Sequence, residues 1–341
     1  MRAVRLPAAG ASLRVEELPL PEPTGTAVRI AVSACGVCHS DLHLADGAMP
    51  GITYPLTLGH EVAGHIDAIG PAAGAALRDA GLAPGDPVLV YGGWGCGGCD
   101  ECRTGEEQRC ADWRAPGFQR DGGYADAMLV PHPHYLVPLG SLDPVRAAPL
   151  ADAGVTPFRA VRRATPWLRH GARVAVIGFG GLGRFALQYL RRTDAGRIAV
   201  VEPRRATWDD ARSLGADAVI ADLHAPDLLA ALGGRPQVLF DLVGSQETLD
   251  TARPLVAPDG LLMIVGEAGG TLRVGMEPPL ETWASTTSWG SLADLREVVA
   301  LARAGEIGWE VEAVPLADAA RAHERLRAGD VRGRLVLVPG P

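Results

Sequence analysis

The sequence VAVIGFGGLG, residues 174–183, joins an apolar run to a glycine-rich turn and the start of a helical pattern. Gly178, Gly180 and Gly183 have the G-x-G-x-x-G spacing, with Gly181 between the second and third. In a dinucleotide-binding turn, the first glycine permits the tight bend, the second lets the backbone approach a pyrophosphate, and the third lets the helix pack closely on the strand. A glycine turn that merely joins two elements is the alternative, and the sequence that follows disfavours it.

An acidic residue completes this pattern, because Glu202 ends the strand that follows the helix. A carboxylate at this position accepts hydrogen bonds from both hydroxyls of an adenosine ribose and repels a 2′-phosphate, which favours NAD over NADP. Arg204 and Arg205 come directly after it. They are either solvated loop charges or residues that tolerate the 2′-phosphate.

The pattern of apolar and turn-forming residues differs between the N-terminal part of the chain and the part from Ala172 onward. From Ala172 onward, apolar strands such as RIAVV, VLFDLV and LLMIVG alternate with amphipathic helices, and ASTTSW is a candidate last strand. This alternation predicts an α/β fold with a doubly wound parallel sheet. Residues 1 to about 150 instead contain short β segments broken by Gly and Pro. We predict a β-rich domain of residues 1–150 and 290–341, and a nucleotide-binding domain of residues 151–289.

Four of the six cysteines lie close together, at Cys96, Cys99, Cys102 and Cys110. Four thiolates surround one Zn²⁺ tetrahedrally and leave no open position for a substrate. The C-x₂-C-x₂-C-x₇-C spacing therefore predicts a structural zinc in a lobe of about residues 92–114. An iron–sulfur cluster and free thiols are the alternatives, but the spacing and Cys-Pro ending of bacterial ferredoxins are absent.

A second constellation begins with CGVCHSDLH, residues 35–43, and continues in TLGHEVAG with His60 and Glu61. Cys38 and His60 supply one thiolate and one imidazole, which is half of a zinc site. Together with the cysteine lobe and the glycine turn, these motifs occur in an order that resembles the zinc-dependent alcohol dehydrogenases of the medium-chain dehydrogenase/reductase superfamily. The resemblance covers essentially the whole chain and implies a GroES-like catalytic domain beside a Rossmann domain.

The third zinc ligand departs from the pattern of many members of that family. Where they carry a cysteine, the segment AAPLADAGVTPF has Asp152. A carboxylate is an acceptable ligand, and some secondary-alcohol dehydrogenases of the family are similar in this respect. The resemblance thus implies that Cys38, His60 and Asp152 hold a catalytic zinc, giving two zinc ions per chain, while Glu61 ligates transiently when substrate is absent. Alternatively, Asp152 caps a helix or supports the ligands from behind, and zinc is lost or bound otherwise.

Proton-transfer roles also follow from the resemblance. Ser40 would hydrogen-bond the substrate oxygen and pass its proton outward, and His43 would end that relay. His39 would lie near the cofactor pyrophosphate or serve as the relay terminus instead. Asp41 would orient the metal-bound His60 through its other ring nitrogen.

Further residues are expected to contact the cofactor or to line the substrate pocket. The resemblance implies that Thr156 and Leu182 back the nicotinamide ring and that Arg334 contacts the pyrophosphate. Val243, Gly244 and Val265 lie at predicted strand ends, where the nicotinamide half should rest. The candidates for the substrate pocket are the aromatic residues Tyr54, Trp94, Trp113, Phe118 and Trp283, although most aromatic side chains in proteins belong to cores or interfaces.

Composition narrows the classes of function. A net charge of −8 argues against a nucleic-acid partner. The sequence contains no lysine, which excludes lysine Schiff-base chemistry and a Walker-type phosphate loop. It shows neither a signal peptide nor an apolar run of about 18 residues, so we expect a cytoplasmic protein without a membrane span.

We expect an NAD-dependent enzyme that oxidises an alcohol, with a secondary alcohol favoured, or reduces the corresponding carbonyl. Two other functions fit parts of the sequence. One is a zinc-independent quinone or enone reductase of the same superfamily, and the other is a non-catalytic nucleotide-binding relative. The family resemblance also implies a homo-oligomer, with a tetramer favoured over a dimer.

Overall fold

A computed structural model describes residues 1–276 and 279–340 of the chain. The described residues fold into two compact units, one formed by residues 1–155 and 290–340 and the other by the described part of residues 156–289. Residues 151–155 therefore lie with the first unit, whereas the predicted division assigned them to the second.

Short strands dominate the N-terminal part of the first unit. The strands are β1 (Arg2–Leu6), β2 (Arg14–Glu17), β3 (Val28–Gly36), β4 (Leu56–Thr57), β5 (Glu61–Ile69), β6 (Pro87–Val90), β7 (Ala127–Val130) and β8 (Leu136–Pro138). The helices are α1 (His39–Ala45), α2 (Gly74–Asp79), α3 (Asp100–Arg103) and α4 (Pro144–Ala147). A 3₁₀ turn, Ala148–Ala151, follows α4 and packs against β3 and β5, which explains why the residues after it stay with the first unit.

Strands and helices alternate through the second unit. The helices are α5 (Val155–Ala164), α6 (Gly181–Leu190), α7 (Trp208–Ser213), α8 (Ala225–Leu232) and α9 (Gln246–Ala252). The strands are β9 (Val174–Ile177), β10 (Ile198–Val201), β11 (Ala218–Ile220), β12 (Val238–Asp241), β13 (Leu261–Ile264) and β14 (Trp283–Thr286). Helix α5 precedes Ala172, where we expected the alternation to begin.

The strands of the second unit form one parallel sheet in the order β11-β10-β9-β12-β13-β14. This is the order of a doubly wound dinucleotide-binding sheet, in which ligands bind outside the carboxyl ends of the strands where the order reverses. Strands β9, β10 and β12 are buried along their whole length, as their continuous apolar sequences predict. The predicted α/β fold class is confirmed.

The C-terminal segment returns to the first unit and completes its main sheet. It contains α10 (Leu292–Arg303), β15 (Val311–Pro315), α11 (Ala319–Arg327) and β16 (Arg334–Val338). The sheet has the order β15-β16-β3-β5-β6-β8, with β7 also paired to β3, and β2-β1-β4 form a separate sheet. Strand β15 was not predicted from the sequence. It is mostly exposed and lies at the edge of the sheet, where burial imposes little apolar pattern.

Candidate functional site

Pairing between β3 and β5 brings the two halves of the predicted catalytic zinc site together. These strands run antiparallel with Gly36 opposite Glu61, so Cys38, two residues after β3, lies beside His60, directly before β5. Gly36 has no room for a side chain, because a Cβ there would lie 1.8 Å from Glu61 Oε2. The register of a single strand pair thus places three predicted functional side chains at one point.

Asp152 joins this point from the end of the 3₁₀ turn after α4. Its Oδ2 lies 3.5 Å from Cys38 Sγ and 3.4 Å from His60 Nε2. Potential ligand atoms of Cys38, His60, Glu61 and Asp152 all lie within 4.8 Å of one another. We call these four residues the metal group.

The donor atoms of the metal group fit a divalent cation. Glu61 is fully buried, and its Oε1 accepts a hydrogen bond from Arg334 Nη2. Among the described residues, its Oε2 has no hydrogen-bond partner. Burying a carboxylate oxygen without a partner costs free energy, and a bound cation would provide the missing interaction. Thiolate, imidazole and carboxylate are the ligand types that zinc takes in proteins.

The protonation states of Cys38 and Glu61 would depend on whether a cation is bound. Burial, followed by the Asp152 carboxylate, raises the pKa of the Cys38 thiol. Burial also raises the pKa of Glu61, which Arg334 partly opposes. A bound divalent cation inverts this balance and favours the ionised thiol and carboxylates.

Asp41 lies behind His60 and is held by several donors. It is fully buried and accepts hydrogen bonds from the backbone N–H groups of Cys38 at 2.9 Å and Gly59 at 3.3 Å. Its Oδ1 lies 3.5 Å from His60 Nδ1. Burial alone would raise the pKa of Asp41, but His60 and the Cys38 amide lower it below its ordinary value. The carboxylate is therefore an anion that faces the ring nitrogen of His60 away from the metal group.

Asp41 has a further partner, which sequence reasoning missed. Tyr124 Oη donates a hydrogen bond to Asp41 Oδ2 at 3.2 Å, and His323 Nε2 lies 3.2 Å from the same hydroxyl. Tyr124 and His323 are both buried. Neither belongs to a recognisable motif, and the fold alone brings them to Asp41.

The predicted proton-transfer residues lie on α1, which begins after Cys38. Ser40 Oγ is 3.8 Å from Cys38 Sγ. Ser40 and His43 are half-buried and three positions apart, so they are neighbours on the helix surface. His39 is exposed.

One of the predicted pocket aromatics lies beside the metal group, and a second packs against the first. The ring centroid of Phe118 is 5.2 Å from that of His60, and the ring of Trp113 is 6.1 Å from Phe118. These two rings could form an apolar wall next to the metal ligands.

The other three pocket candidates have different surroundings. Tyr54 donates its hydroxyl to the carbonyl oxygen of Leu44 at 3.0 Å. Trp94 is buried, and its Nε1 donates to the Tyr91 carbonyl at 2.6 Å. Trp283 is 57% exposed on the edge strand β14 of the second unit, with its ring 6.0 Å from Trp167. Their substrate contacts remain predictions.

The four-cysteine lobe gathers its sulfur atoms around a second point. Potential ligand atoms of Cys96, Cys99, Cys102 and Cys110 lie within 4.8 Å of one another, and none of the four forms a disulfide. Backbone N–H donors of Gly98 and Cys99 lower the pKa of Cys96 to about 7, which makes a thiolate accessible near neutrality. The arrangement fits one tetrahedral ion that its own ligands saturate.

The predicted cofactor residues of the second unit lie together at one edge of the parallel sheet. Gly178 follows β9, Glu202 follows β10, Val243 and Gly244 follow β12, and Val265 follows β13. Because neighbouring parallel strands end at the same edge, the fold brings these residues close together. Leu182 is in the first turn of α6 and Thr156 in the first turn of α5.

The glycine turn has the close contacts that its motif predicts. Gly178 has a positive φ of 92°. A Cβ on Gly183 would lie 2.3 Å from the Gly178 carbonyl oxygen, whereas a Cβ on Gly180 would meet nothing within 4 Å. Gly183 thus permits α6 to pack on the turn, and the open surface at Gly180 leaves the backbone accessible to a ligand.

Glu202 is bound by its own chain. Its Oε2 accepts from the Phe179 N–H at 2.9 Å. Arg204 donates from its backbone N and from Nε to Oε1, at 2.9 and 2.8 Å, and from Nη2 to Oε2 at 3.0 Å. Burial alone would raise the pKa of Glu202, but Arg204 lowers it. Arg204 is therefore paired to the acid, although its side chain remains 41% exposed, while Arg205 lies over the Trp208 ring.

Arg334 was predicted to contact the cofactor pyrophosphate. It is 6% exposed, lies on β16 and pairs with Glu61 of the metal group. The contact with a pyrophosphate remains a prediction.

No helix within residues 1–276 and 279–340 combines the length and the apolar character that crossing a bilayer requires.

Two protein-family models match the chain. The alcohol dehydrogenase GroES-like domain matches residues 24–141, and the zinc-binding dehydrogenase model matches residues 214–337. The first match includes the cysteine lobe, together with Cys38, His60 and Glu61 of the metal group.

Individual relatives are similar over the full length of the chain. An NAD-dependent alcohol dehydrogenase from Sulfurisphaera tokodaii is 36% identical, and the alignment covers 99% of this chain and 100% of that protein. The D-arabinose 1-dehydrogenase (NADP(+)) of Saccharolobus solfataricus is 37% identical, with 96% and 94% covered. The crystal structure of the alcohol dehydrogenase from Aeropyrum pernix has a TM-score of 0.91 and 34% identity, with 99% and 100% covered. The similarity therefore includes both units.

Proposed function

Because the chain belongs to the zinc-dependent alcohol dehydrogenases of the medium-chain dehydrogenase/reductase superfamily, we propose that it transfers a hydride between an alcohol and NAD, in either direction. The observation that carries the proposal is the metal group, in which a thiol, an imidazole and two carboxylates converge within 4.8 Å. A secondary alcohol is the favoured substrate, by analogy with family members that also carry Asp at the third ligand position.

Cys38, His60 and Asp152 would hold the catalytic zinc, and the cysteine lobe would hold a structural one. A thiolate, a carboxylate and a neutral imidazole together balance the two positive charges of the ion. When bound, this zinc would supply Lewis-acid polarisation of the substrate oxygen. Glu61, which accepts a hydrogen bond from Arg334 on one oxygen, would bind the zinc transiently in the absence of substrate.

Ser40 and His43 would move the substrate proton. Ser40 Oγ lies beside the metal group, 3.8 Å from Cys38 Sγ, and accepts the proton of the substrate hydroxyl. His43, on the next turn of α1, would receive that proton through a hydroxyl of the cofactor ribose and pass it to solvent. The exposed His39 is the other terminus that α1 offers.

The second unit would bind the cofactor at the carboxyl edge of its sheet. Glu202 would face the adenosine ribose and favour NAD, while the pairing with Arg204 would leave some tolerance for NADP. The relatives support both readings, because one is named as NAD-dependent and another as NADP-dependent. Thr156, Leu182, Val243, Gly244 and Val265 would surround the nicotinamide half.

By resemblance to the family, we also propose a cytoplasmic homo-oligomer, a tetramer rather than a dimer. Light scattering coupled to size-exclusion chromatography measures the subunit count directly.

A spectrophotometric screen tests the proposed activity. Primary and secondary alcohols, aldehydes, ketones and D-arabinose are each combined with NAD(H) and NADP(H), and the absorbance of the reduced nicotinamide is followed. We expect zinc-dependent turnover with NAD, with secondary alcohols preferred. Turnover of quinones or enones that survives zinc removal would identify a zinc-independent reductase. Stoichiometric binding of NADH without turnover of any substrate would identify a non-catalytic relative.

A further inference from the structure

We propose that Tyr124 and His323 are positioning residues for the metal group, acting on His60 through Asp41. They form a buried chain in which each member contacts the next: His323, Tyr124, Asp41 and His60. The inference rests on the proposed function, in that it takes zinc as the ion bound by His60.

The direction of each hydrogen bond in this chain follows from the available protons. The Tyr124 hydroxyl donates to Asp41 Oδ2, 3.2 Å away, which uses its single proton. The Tyr124 oxygen is then an acceptor toward His323 Nε2, also at 3.2 Å. His323 must therefore carry its proton on Nε2. The donors all point toward Asp41.

Packing fixes the Tyr124 hydroxyl in this position. A Cβ on Gly59 would lie 2.4 Å from Tyr124 Cδ1, so the ring lies directly against the backbone that leads into His60. The Tyr124 backbone is held on both sides, since its N–H donates to Leu58 and its carbonyl accepts from Val4. Rotation of the ring away from Asp41 would break these packing contacts.

His323 closes the far end of the chain from α11. It is 5% exposed, and its ring meets Tyr124 edge-on with centroids 5.8 Å apart. Burial, and secondarily Arg327, lowers the pKa of His323, while Asp41 and Asp46 oppose the shift. A neutral imidazole with its proton on Nε2 supplies the donor toward Tyr124.

The consequence concerns the lone pair of His60. An Asp41 carboxylate held in one orientation draws the His60 proton to Nδ1 and leaves the lone pair of Nε2 for the metal. Without the Tyr124 hydroxyl, Asp41 loses a fixed donor and His323 loses its acceptor. We therefore expect the change to appear in the affinity of the metal.

Tyr124→Phe is the central variant, because it removes the hydroxyl and keeps the ring. His323→Gln keeps an amide donor near the position of Nε2, and His323→Leu removes the donor at similar volume. For each variant and the wild type, zinc affinity is measured by competition with a chromogenic chelator, and the visible spectrum is recorded after replacing zinc with Co²⁺. Thermal unfolding monitors the fold.

We expect Tyr124→Phe and His323→Leu to bind catalytic-site zinc about 10- to 100-fold more weakly and to shift the Co²⁺ spectrum. Zinc in the cysteine lobe should be unaffected, and His323→Gln should recover most of the wild-type affinity. Wild-type zinc affinity and spectrum in a folded Tyr124→Phe variant would overturn the inference, even if its unfolding temperature falls.

The wild-type control separates this inference from the proposed function. If wild-type protein binds two zinc ions but turns over no alcohol or carbonyl, the proposed activity fails while the metal-affinity comparison still decides the role of Tyr124. If wild-type protein is active and Tyr124→Phe is unchanged, only the inference fails. A wild-type chain with zinc in the cysteine lobe alone would overturn both.

Discussion

Arg204 donates three hydrogen bonds to the two carboxylate oxygens of Glu202. Glu202 stands at the end of β10, where the dinucleotide fold presents an acid to the adenosine ribose. The arginine offsets the negative charge that would repel a 2′-phosphate. Cofactor preference in this chain therefore depends on the pair and not on Glu202 alone.

Replacing Arg204 by Gln should increase the preference for NAD over NADP. The change frees Glu202 for the ribose hydroxyls and removes a cation that could approach the 2′-phosphate. We expect the ratio of kcat/KM for NAD to that for NADP to rise roughly 10-fold, equivalent to about 1.4 kcal/mol. Arg205→Gln is the matched control, since Arg205 lies over Trp208. An unchanged ratio in Arg204→Gln would show that the arginine has no part in cofactor selection.

Asp152→Ala should remove the catalytic zinc and leave the structural one. The variant loses one of three proposed ligands, so we expect zinc content to fall from two ions to one per chain. Turnover of alcohol should decrease about 100-fold or more, because Lewis-acid stabilisation is worth several kcal/mol. Cys35→Ala is the control, as it removes a buried thiol outside both ligand sets. Two zinc ions bound with normal affinity in Asp152→Ala would contradict the assignment of the ligand.

Cys102→Ser should weaken the fold more than the chemistry. Loss of one of four sulfur ligands releases the lobe zinc, whose binding free energy contributes to folding. We expect the unfolding midpoint to fall by roughly 5 °C or more, measured by calorimetry beside metal analysis. Activity per folded molecule, assayed well below the midpoint, should stay close to the wild-type value. Complete loss of turnover in a fully folded, normally assembled variant would give the lobe a catalytic role.

The pH dependence of stability should contain a contribution from His323. Its folded-state pKa lies below the ordinary value of 6.5, so below pH 6.5 the unfolded chain binds a proton there that the folded chain refuses. Stability should therefore fall as the pH decreases from 6.5 toward that lowered pKa. His323→Gln, measured by urea unfolding between pH 8 and about 5.5, should show a shallower decrease than the wild type. The same substitution at the exposed His170 should keep the wild-type slope.

The second unit was largely predictable because its signals are local. Buried parallel strands such as β9 and β12 consist of continuous apolar residues, and the Gly178–Gly183 spacing reflects contacts within a few residues. The pairing of Arg204 with Glu202 is equally local and could have been read from two opposite charges two positions apart. Helix α5 was missed because it precedes the first strand of the alternation.

The metal group and its support were only partly predictable. Cys38 and His60 belong to short motifs, but Tyr124 and His323 are distant in sequence. Tyr124 reaches Asp41 from a loop that is hydrogen-bonded to Leu58, and His323 from α11, which packs against α1. The sequence around Tyr124 and around His323 contains no motif that predicts their contact with Asp41.

The aromatic pocket candidates were predicted only in part. Phe118 lies beside His60, whereas the Trp94 side chain is hydrogen-bonded to the Tyr91 carbonyl. Aromatic residues pack in many settings, and composition does not distinguish them.

The ion pair of Glu61 and Arg334 joins a residue of the metal group to the last strand of the chain that is synthesised. Every proposed zinc donor has been synthesised by residue 152, but the guanidinium that balances Glu61 arrives with the last strand, β16. Before β16 pairs with β3, burying Glu61 would leave a carboxylate without its cation, which is strongly unfavourable. We therefore expect the metal group to become buried only when β16 completes the sheet. A chain that lacks β16 would contain the zinc ligands but not the assembled site.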